Sequence, residues 1–154
     1  METLYQQMTR FFQTDGWPCQ ADGASTLQTS CQGEHGRWFC LASAREDPAQ
    51  FVMYSMFPVR IPALKRMRVA EYLLRANYGL VIGNFELDLD EGELRFRTSL
   101  DIQDTAFPSE LLKPLVYTNV RMMDRYLPGL MAVLYAELTP QAALRLVEAD
   151  EAVA

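Results

Sequence analysis

The stretch from Ala70 to Leu100 changes its hydrophobic period, and this change constrains the fold more than any other part of the chain. The letters AEYLLRANYGL place apolar residues at the three- and four-residue intervals of a helix. VIGNFELDL and ELRFRTSL, on either side of the turn Asp90-Glu91-Gly92, instead alternate apolar and polar residues, as half-buried strands do. A chain that passes from helix to hairpin in this way is predicted to be α+β.

The two alternating segments each have one apolar and one polar side. Reading Glu91-Gly92 as a two-residue turn pairs Leu89 with Leu94, and the same register pairs Leu87 with Phe96. The residues predicted to face inward are Val81, Phe85, Leu87, Leu89, Leu94, Phe96 and Leu100. One face of this hairpin is therefore predicted to meet the core and the other to meet water.

An earlier pair of segments, Arg37–Arg45 and Gln50–Phe57, is apolar on both sides. If Glu46–Ala49 is a four-residue loop, one face carries Phe39, Leu41, Tyr54 and Met56, with Leu41 opposite Tyr54 and Phe39 opposite Met56. The other face carries Trp38, Cys40, Phe51, Met53 and Phe57. Because an antiparallel sheet normally leaves one face to solvent, we expect something to cover each side of this hairpin.

Helical spacing predicts further elements. A first helix covers residues 4–12, and Ser25–Cys31 alternates as a first strand. The helix of about 62–77 is predicted to face the core through Ile61, Leu64, Met67, Ala70, Leu74 and Asn77. A later helical region should break or kink at Pro128-Gly129, and a short final helix should run over about 140–149.

Together these patterns predict one domain over residues 1–154. Its fold is predicted to be α+β, with a five-stranded antiparallel sheet, helices packed on one face and the order α-β-β-β-α-β-β-α.

Charge and cysteine content exclude several classes of partner. The net charge is −6 and no basic stripe occurs, so we expect neither a nucleic-acid nor a membrane partner. Cys19, Cys31 and Cys40 show no paired spacing, which favours a reducing compartment. With no signal-peptide pattern and no apolar run of about 18 residues, the expected location is the cytoplasm.

The residues that could carry catalysis are few. His35 is the single histidine and lies in a glycine-flanked turn, where an ordinary exposed side chain is the favoured interpretation. Cys40 lies in an apolar strand without a cationic neighbour that would activate its thiol. No phosphate-binding or dinucleotide-binding motif occurs. We therefore predict no catalytic residues, no cofactor and no metal site, and a protein that is not an enzyme.

The order of elements, together with EYLLRANY at 71–78, GNFELD at 83–88 and GELRFR at 92–97, resembles the bacterial YbjN family. That family is described as sensory-transduction regulators. The resemblance also implies a fold similar to type III secretion chaperones, which are small acidic dimers that hold partner polypeptides. It implies no catalytic residues, and the final helix of about 140–149 has no counterpart in the pattern.

These observations leave two hypotheses for function. The first is a chaperone-like binding or regulatory module that engages a protein or peptide through an apolar groove or a free sheet edge. The second is a small-molecule sensor or unrecognised enzyme with a pocket between helix and sheet, using Arg75, Asn77 and Tyr78.

Self-association is expected in either case. An apolar hairpin face left uncovered by helices would need a second copy of the chain, so we predict a homodimer. The residues predicted at its interface are Phe39, Leu41, Tyr54 and Met56, or the opposite set Trp38, Phe51, Met53 and Phe57.

Overall fold

The computed structural model describes residues 1–103 and 106–149, in which the chain forms four α-helices and six β-strands. The first half contains α1 (Leu4–Thr14), β1 (Cys19–Ala21), β2 (Thr26–Gln32), β3 (Arg37–Glu46) and β4 (Ala49–Met56). The second half contains α2 (Arg66–Asn77), β5 (Asn84–Leu87), β6 (Leu94–Asp101), α3 (Ser109–Tyr135) and α4 (Pro140–Glu148). A 3-10 turn at Ala63–Lys65 leads into α2.

The strands form one antiparallel sheet in the order β1-β2-β3-β4-β6-β5. The predicted α+β class and antiparallel pairing are confirmed, but the predicted count of five strands is wrong. The additional strand is β1, which pairs with β2 and is held by a 2.7 Å hydrogen bond from the Thr29 hydroxyl to the Pro18 carbonyl. Three residues are too few to show an alternating pattern, so the sequence gives no sign of it.

The register predicted for the β3–β4 hairpin is confirmed, since Leu41 pairs with Tyr54 and Phe39 with Met56. Residues on the other side of the two strands are at most 3% exposed and belong to the core: Trp38, Cys40, Ala42, Ala44, Phe51 and Met53. We call this side of the sheet the inner face. Met8 and Phe12 of α1 and most buried residues of α2, α3 and α4 join the same core.

Helix α3 is attached to the inner face by a buried amide. Asn119 is fully buried, and its Nδ2 donates to the carbonyls of Met53 in β4 at 2.9 Å and Phe96 in β6 at 3.2 Å. Thr98 strengthens the junction, because its hydroxyl donates to the Leu115 carbonyl of α3 at 3.2 Å. The helix is thus fixed across two neighbouring strands.

The predicted register of the β5–β6 hairpin is wrong by two residues, because Leu87 pairs with Leu94 and Phe85 with Phe96. The turn is longer than two residues: the Asp88 carbonyl accepts from the Gly92 amide at 2.7 Å, and the Asp88 amide donates to Glu93. A shift of two leaves Phe85 and Phe96 on the inner face. It places Leu89 in the turn, where it is 52% exposed.

Of the break or kink predicted at Pro128-Gly129, the break is wrong, since α3 runs without interruption from Ser109 to Tyr135. Proline has no amide hydrogen for the carbonyl four residues earlier, which belongs to Asp124. That carbonyl instead lies 3.1 Å from the His35 ring nitrogen Nδ1. The freed acceptor therefore has another partner.

Helix α2 is rotated relative to its predicted orientation. Its buried residues are Val69, Tyr72, Leu73 and Ala76. The stripe predicted to face the core contains Leu64, Met67 and Leu74, which are 97%, 70% and 72% exposed. Both sides of the helix are apolar, so periodicity alone could not identify the buried side.

Replacing Gly129 by alanine should destabilise the fold. The new methyl group would overlap the hydroxyl of Tyr72, which donates to the Tyr126 carbonyl at 2.9 Å. We expect Gly129→Ala to lower the free energy of unfolding by about 1–3 kcal/mol in urea titrations. The loss should shrink in a Tyr72→Phe background, and a Gly129→Ala variant more stable than wild type would contradict this packing.

A polar cluster between α1 and α3 gives stability a pH dependence. Burial alone would raise the pKa of Asp15, but hydrogen bonds from Tyr117 at 2.8 Å and Trp17 at 3.0 Å, with the charge of Lys113, hold this pKa below its usual 3.8. A carboxyl group whose pKa is lower in the folded state stabilises the protein at pH values above its unfolded-state pKa. This contribution is lost as the pH falls through its folded-state pKa.

Tyr117→Phe should therefore cost about 1–3 kcal/mol of unfolding free energy at pH 7. Its difference from wild type should narrow as the pH is lowered below 3.8, the unfolded-state pKa of Asp15. Urea unfolding at several pH values measures this. Tyr135→Phe, at a 67% exposed tyrosine, is the matched control, and a pH-independent cost of Tyr117→Phe would argue against the coupling.

Candidate functional site

The side of the sheet opposite the core is the candidate site. Strand pairing places on it Phe39 and Leu41 of β3, Val52 and Tyr54 of β4, and Arg95 and Arg97 of β6. We call this side the outer face. Among the described residues, the helices pack on the inner face instead, and none of these six side chains belongs to the hydrophobic core. The outer face is therefore accessible to a partner.

Apolar side chains run across the middle of the outer face. Phe39 is 40% exposed, and Leu41, Val52 and Tyr54 are half-buried. The neighbouring strand β2 adds the uncharged polar residues Thr26, Gln28, Ser30 and Gln32 to the same face. This mixture resembles the surface of a protein interface more than that of a solvated sheet.

Arginines lie beside this apolar row. The Arg95 guanidinium lies 3.9 Å from the centre of the Tyr54 ring and 3.0 Å from a Glu86 carboxylate oxygen. Arg97 is the next outward residue of β6, 41% exposed at its side chain and 3.9 Å from Glu86. Stacking on tyrosine fixes the first guanidinium, while the second is more open to a ligand.

The strands carry more positive than negative charge on the outer face. The arginines on it are Arg37, Arg45, Arg95 and Arg97, against the strand carboxylates Glu86 and Asp101. Glu93, just before β6, adds a third carboxylate 3.8 Å from Arg95. This balance is opposite to the net charge of −6 of the whole chain. A depression of about 260 Å³ is lined by Arg45, Arg97 and the carboxylate of Asp101, with Val52 and Tyr54 among its walls. A carboxylate with an apolar neighbour would fit this chemistry.

Not all of the residues predicted for a partner surface are exposed to solvent. Phe39, Leu41 and Tyr54 are on the outer face, but Met56 is only 6% exposed between its cross-strand neighbours Phe39 and Arg95. The opposite set, Trp38, Phe51, Met53 and Phe57, is buried in the core. The sequence pattern predicted Phe39, Leu41 and Tyr54 of the outer face as site residues but did not single out Val52, Arg95 or Arg97, although Arg95 and Arg97 alternate visibly with Phe96.

The residues predicted for a small-molecule pocket have separate environments. The Asn77 side chain accepts from the Phe85 amide at 2.7 Å and donates to the Phe85 carbonyl at 3.0 Å, and so ties α2 to β5. Arg75 forms an ion pair with Glu71 at 3.1 Å, and Tyr78 is 93% exposed. Asn77 has a structural role in these contacts, and a ligand-binding role for the three residues stays a prediction.

A second polar cluster lies where the β2–β3 turn meets α3. The Asp124 carboxylate accepts from the backbone amides of His35 at 2.8 Å and Glu34 at 3.2 Å. The atoms of Glu34, His35 and Asp124 that could ligate a metal lie within 4.8 Å of one another, close enough to coordinate one ion together. The Asp124 carboxylate already accepts hydrogen bonds from two backbone amides, so the cluster anchors the turn to α3.

A groove of about 880 Å³ borders this anchor and is also lined by Arg121, Met122, Pro128 and Leu146. It runs between α3, α4 and the β2–β3 turn. Its volume lies in the range of small-molecule sites, which is about 300–1,000 Å³. Its lining is mixed in chemistry, because Arg121 and Asp124 are charged and Leu146 is apolar.

The thiols of Cys31 and Cys40 show no sign of activation. Burial raises the pKa of the Cys40 thiol to about 12, although the Ser55 hydroxyl at 3.5 Å partly opposes this shift. Burial, and to a lesser extent the charge of Asp124, also raises the pKa of Cys31. A thiolate nucleophile needs the opposite shift.

Residues 5–131 match the sequence profile of a family named YbjN, described as "Putative bacterial sensory transduction regulator". The chain belongs to the YbjN family. Helix α4 of this YbjN chain lies beyond the matched residues. No curated protein matches the chain. Among the described residues of the YbjN chain, no helix combines the length and apolarity needed to cross a bilayer.

The anchor of the YbjN chain can be tested at Asp124. Replacing it by alanine leaves the amides of Glu34 and His35 without their acceptor, so Asp124→Ala should lower the unfolding free energy by about 1–3 kcal/mol. Glu34→Ala is the matched control, because that side chain is exposed and should cost little. Equal effects of the two substitutions in thermal and urea unfolding would contradict the anchoring role.

Proposed function

We propose that this YbjN-family chain is a non-enzymatic, chaperone-like binding module that regulates a polypeptide partner by holding it on the outer face. The observation that carries the proposal is a sheet face free of described helices that combines an apolar row with arginines. The partner segment would be extended and would carry both acidic and large apolar side chains.

Each part of the outer face accounts for one property of that partner. Phe39, Leu41 and Val52 offer apolar contacts that have no sequence preference beyond size. Arg97 offers a guanidinium for a carboxylate, with Arg45 on the other side of the depression. The polar residues of β2 can bond to the backbone of an extended segment. Binding should therefore weaken with salt, as arginine–carboxylate contacts at a surface do.

The proposal includes a homodimer and a reducing compartment. Two copies would offer two outer faces, which raises the avidity for a long partner. Cys19, Cys31 and Cys40 are free thiols, and free thiols are usual in the cytoplasm, where we place the protein.

A second candidate function is a small-molecule sensor that uses the groove beside His35. The observation that favours it is the size of the groove and the charged wall formed by Arg121 and Asp124. A ligand there would contact both α3 and the β2–β3 turn, and it would stabilise the fold against heat.

The binding proposal is tested with a phage-displayed library of random peptides. Selection on the wild-type protein should enrich peptides that combine Asp or Glu with large apolar residues. Arg97→Glu reverses a charge beside the apolar row, so it should weaken the binding of the selected peptides by about tenfold or more in titration calorimetry.

Leu111→Glu is the matched control, because Leu111 is a 58% exposed residue of α3. It should leave peptide affinity within about twofold, a change of less than half a kcal/mol. Peptides without acidic residues, or equal binding by Arg97→Glu, would refute the proposed face. A metabolite library that shifts the melting temperature, with no peptide selected, would favour the sensor.

A further inference from the structure

The groove between α3, α4 and the β2–β3 turn carries both signs of charge. Two guanidiniums, those of Arg121 and Arg125, lie one helical turn apart on α3 and line the groove. Two carboxylates, those of Glu34 and Asp124, line the same groove. A ligand with a single charge would be repelled by half of these groups, so the lining favours a molecule that carries a positive and a negative charge together.

We propose that this groove binds a free α-amino acid with a large apolar side chain. The ligand's carboxylate binds Arg121, its ammonium binds Glu34 and Asp124, and its side chain lies on the apolar part of the wall. This inference rests on the second candidate function, the small-molecule sensor, and adds the chemical class of its ligand. It does not depend on the peptide proposed for the outer face.

Arg121 has the geometry to bind a carboxylate. Its side chain is exposed, and its Nε donates to the Tyr117 carbonyl one turn earlier in α3 at 3.3 Å. This bond orients the guanidinium plane. Its two terminal nitrogens form no hydrogen bond or ion pair with other described residues, so they can bind both oxygens of one carboxylate. Arg125, which lies 5.0 Å from the centre of the Tyr126 ring, adds a second positive charge on the same helix.

The anchor of the β2–β3 turn supplies acceptors for an ammonium group. The Asp124 carboxylate accepts one amide at each oxygen, and each oxygen has a second lone pair, so acceptor capacity is left over. Glu34 bonds to Asp124 through its backbone amide, and its exposed carboxylate has no partner among residues 1–103 and 106–149. The two carboxylates approach within 4.8 Å of each other, so one ammonium can contact both.

His35 adds an acceptor to this end of the groove. Its Nδ1 lies 3.1 Å from the Asp124 carbonyl, which can only accept, so Nδ1 carries the hydrogen of the neutral ring. The lone pair of the neutral ring is then on Nε2. An ammonium group has three hydrogens to donate, and the turn offers it two carboxylates and one imidazole nitrogen.

The rest of the groove lining is apolar. Met122 and Pro128 of α3 are half-buried, while Leu146 of α4 is 54% exposed and Val147 beside it is buried. A methionine side chain adapts its shape to its neighbour, and its sulfur makes favourable contacts with aromatic rings. The volume of about 880 Å³ has room for the largest amino-acid side chains. An aromatic amino acid therefore suits this wall.

Four probes test the ligand class in titration calorimetry. L-Phenylalanine carries both charges and a ring, so it should bind with a dissociation constant of about 1 mM or tighter. Phenylpropanoate lacks the ammonium, phenethylamine lacks the carboxylate, and glycine lacks the ring. Each of these three should bind at least about tenfold more weakly than L-phenylalanine. Equal binding of any of them would show that the group it lacks is not recognised, and would overturn the proposal.

Substitutions test the assigned contacts. Arg121→Ala should weaken L-phenylalanine binding by about tenfold or more and leave phenethylamine binding unchanged, because the amine has no carboxylate to lose. Glu34→Gln should weaken the binding of both ligands and should not weaken that of phenylpropanoate. Arg10→Ala is the matched control at an exposed arginine of α1, and it should keep every affinity within about twofold. Wild-type affinity of Arg121→Ala for L-phenylalanine would contradict the site.

The apolar wall is tested at Leu146. Leu146→Ala removes a contact with the ring, so it should weaken L-phenylalanine binding by about threefold or more. Leu111→Ala is the matched control, because Leu111 is a 58% exposed leucine of α3 that does not line the groove. Equal affinities of the two variants would place the ring elsewhere and reject this wall.

Two further results would reject the proposed ligand. The first is no binding of L-phenylalanine or L-tryptophan at about 10 mM while other metabolites raise the melting temperature, which leaves the sensor standing. The second is loss of L-phenylalanine binding in EDTA, which would place a metal ion on Glu34, His35 and Asp124 in place of the ammonium. If no metabolite shifts the melting temperature, the sensor itself fails. Peptide selection on the outer face is independent of all three results.

Discussion

The structure depends on how α3 is seated on the sheet, and Asn119 determines that seating. Its amide nitrogen reaches backbone carbonyls of two adjacent strands, those of Met53 and Phe96. Rotating the amide by 180° would turn its oxygen toward these carbonyls, so its orientation is fixed. With α3 held there, α1, α2 and α4 also collect on the inner face, and one side of the sheet supplies the core.

Much of the fold could be predicted because several strands carry unambiguous patterns. The β3–β4 register followed from the two alternating runs and the short loop between them. The β5–β6 register did not, because backbone hydrogen bonds of Asp88 with Gly92 and Glu93 lengthen the turn in a way that residue type does not reveal. Pro128 indicated a break, but a tertiary contact from His35, distant in sequence, satisfies the carbonyl that the proline leaves free.

The candidate site could be predicted only in part. The apolar residues of the outer face were visible because a hairpin with two apolar sides is unusual. Arg95 was not connected with Tyr54, since they come from strands that the chain order does not place together and meet only through the β4–β6 pairing. Helix α2 has two opposite apolar sides, so its sequence pattern does not show which side is buried. Packing of Tyr72 against α3 determines that the side with Tyr72 faces the core.

The placement of every described helix on one side of the sheet has a consequence for how the protein can diversify. Substitutions on the inner face alter volume in a packed core and are limited by stability. Substitutions at Leu41, Tyr54 or Arg97 change a surface that the core does not use. One scaffold can therefore change the side chains on its outer face while its interior and its folding stay the same, so related chains can differ widely on this face.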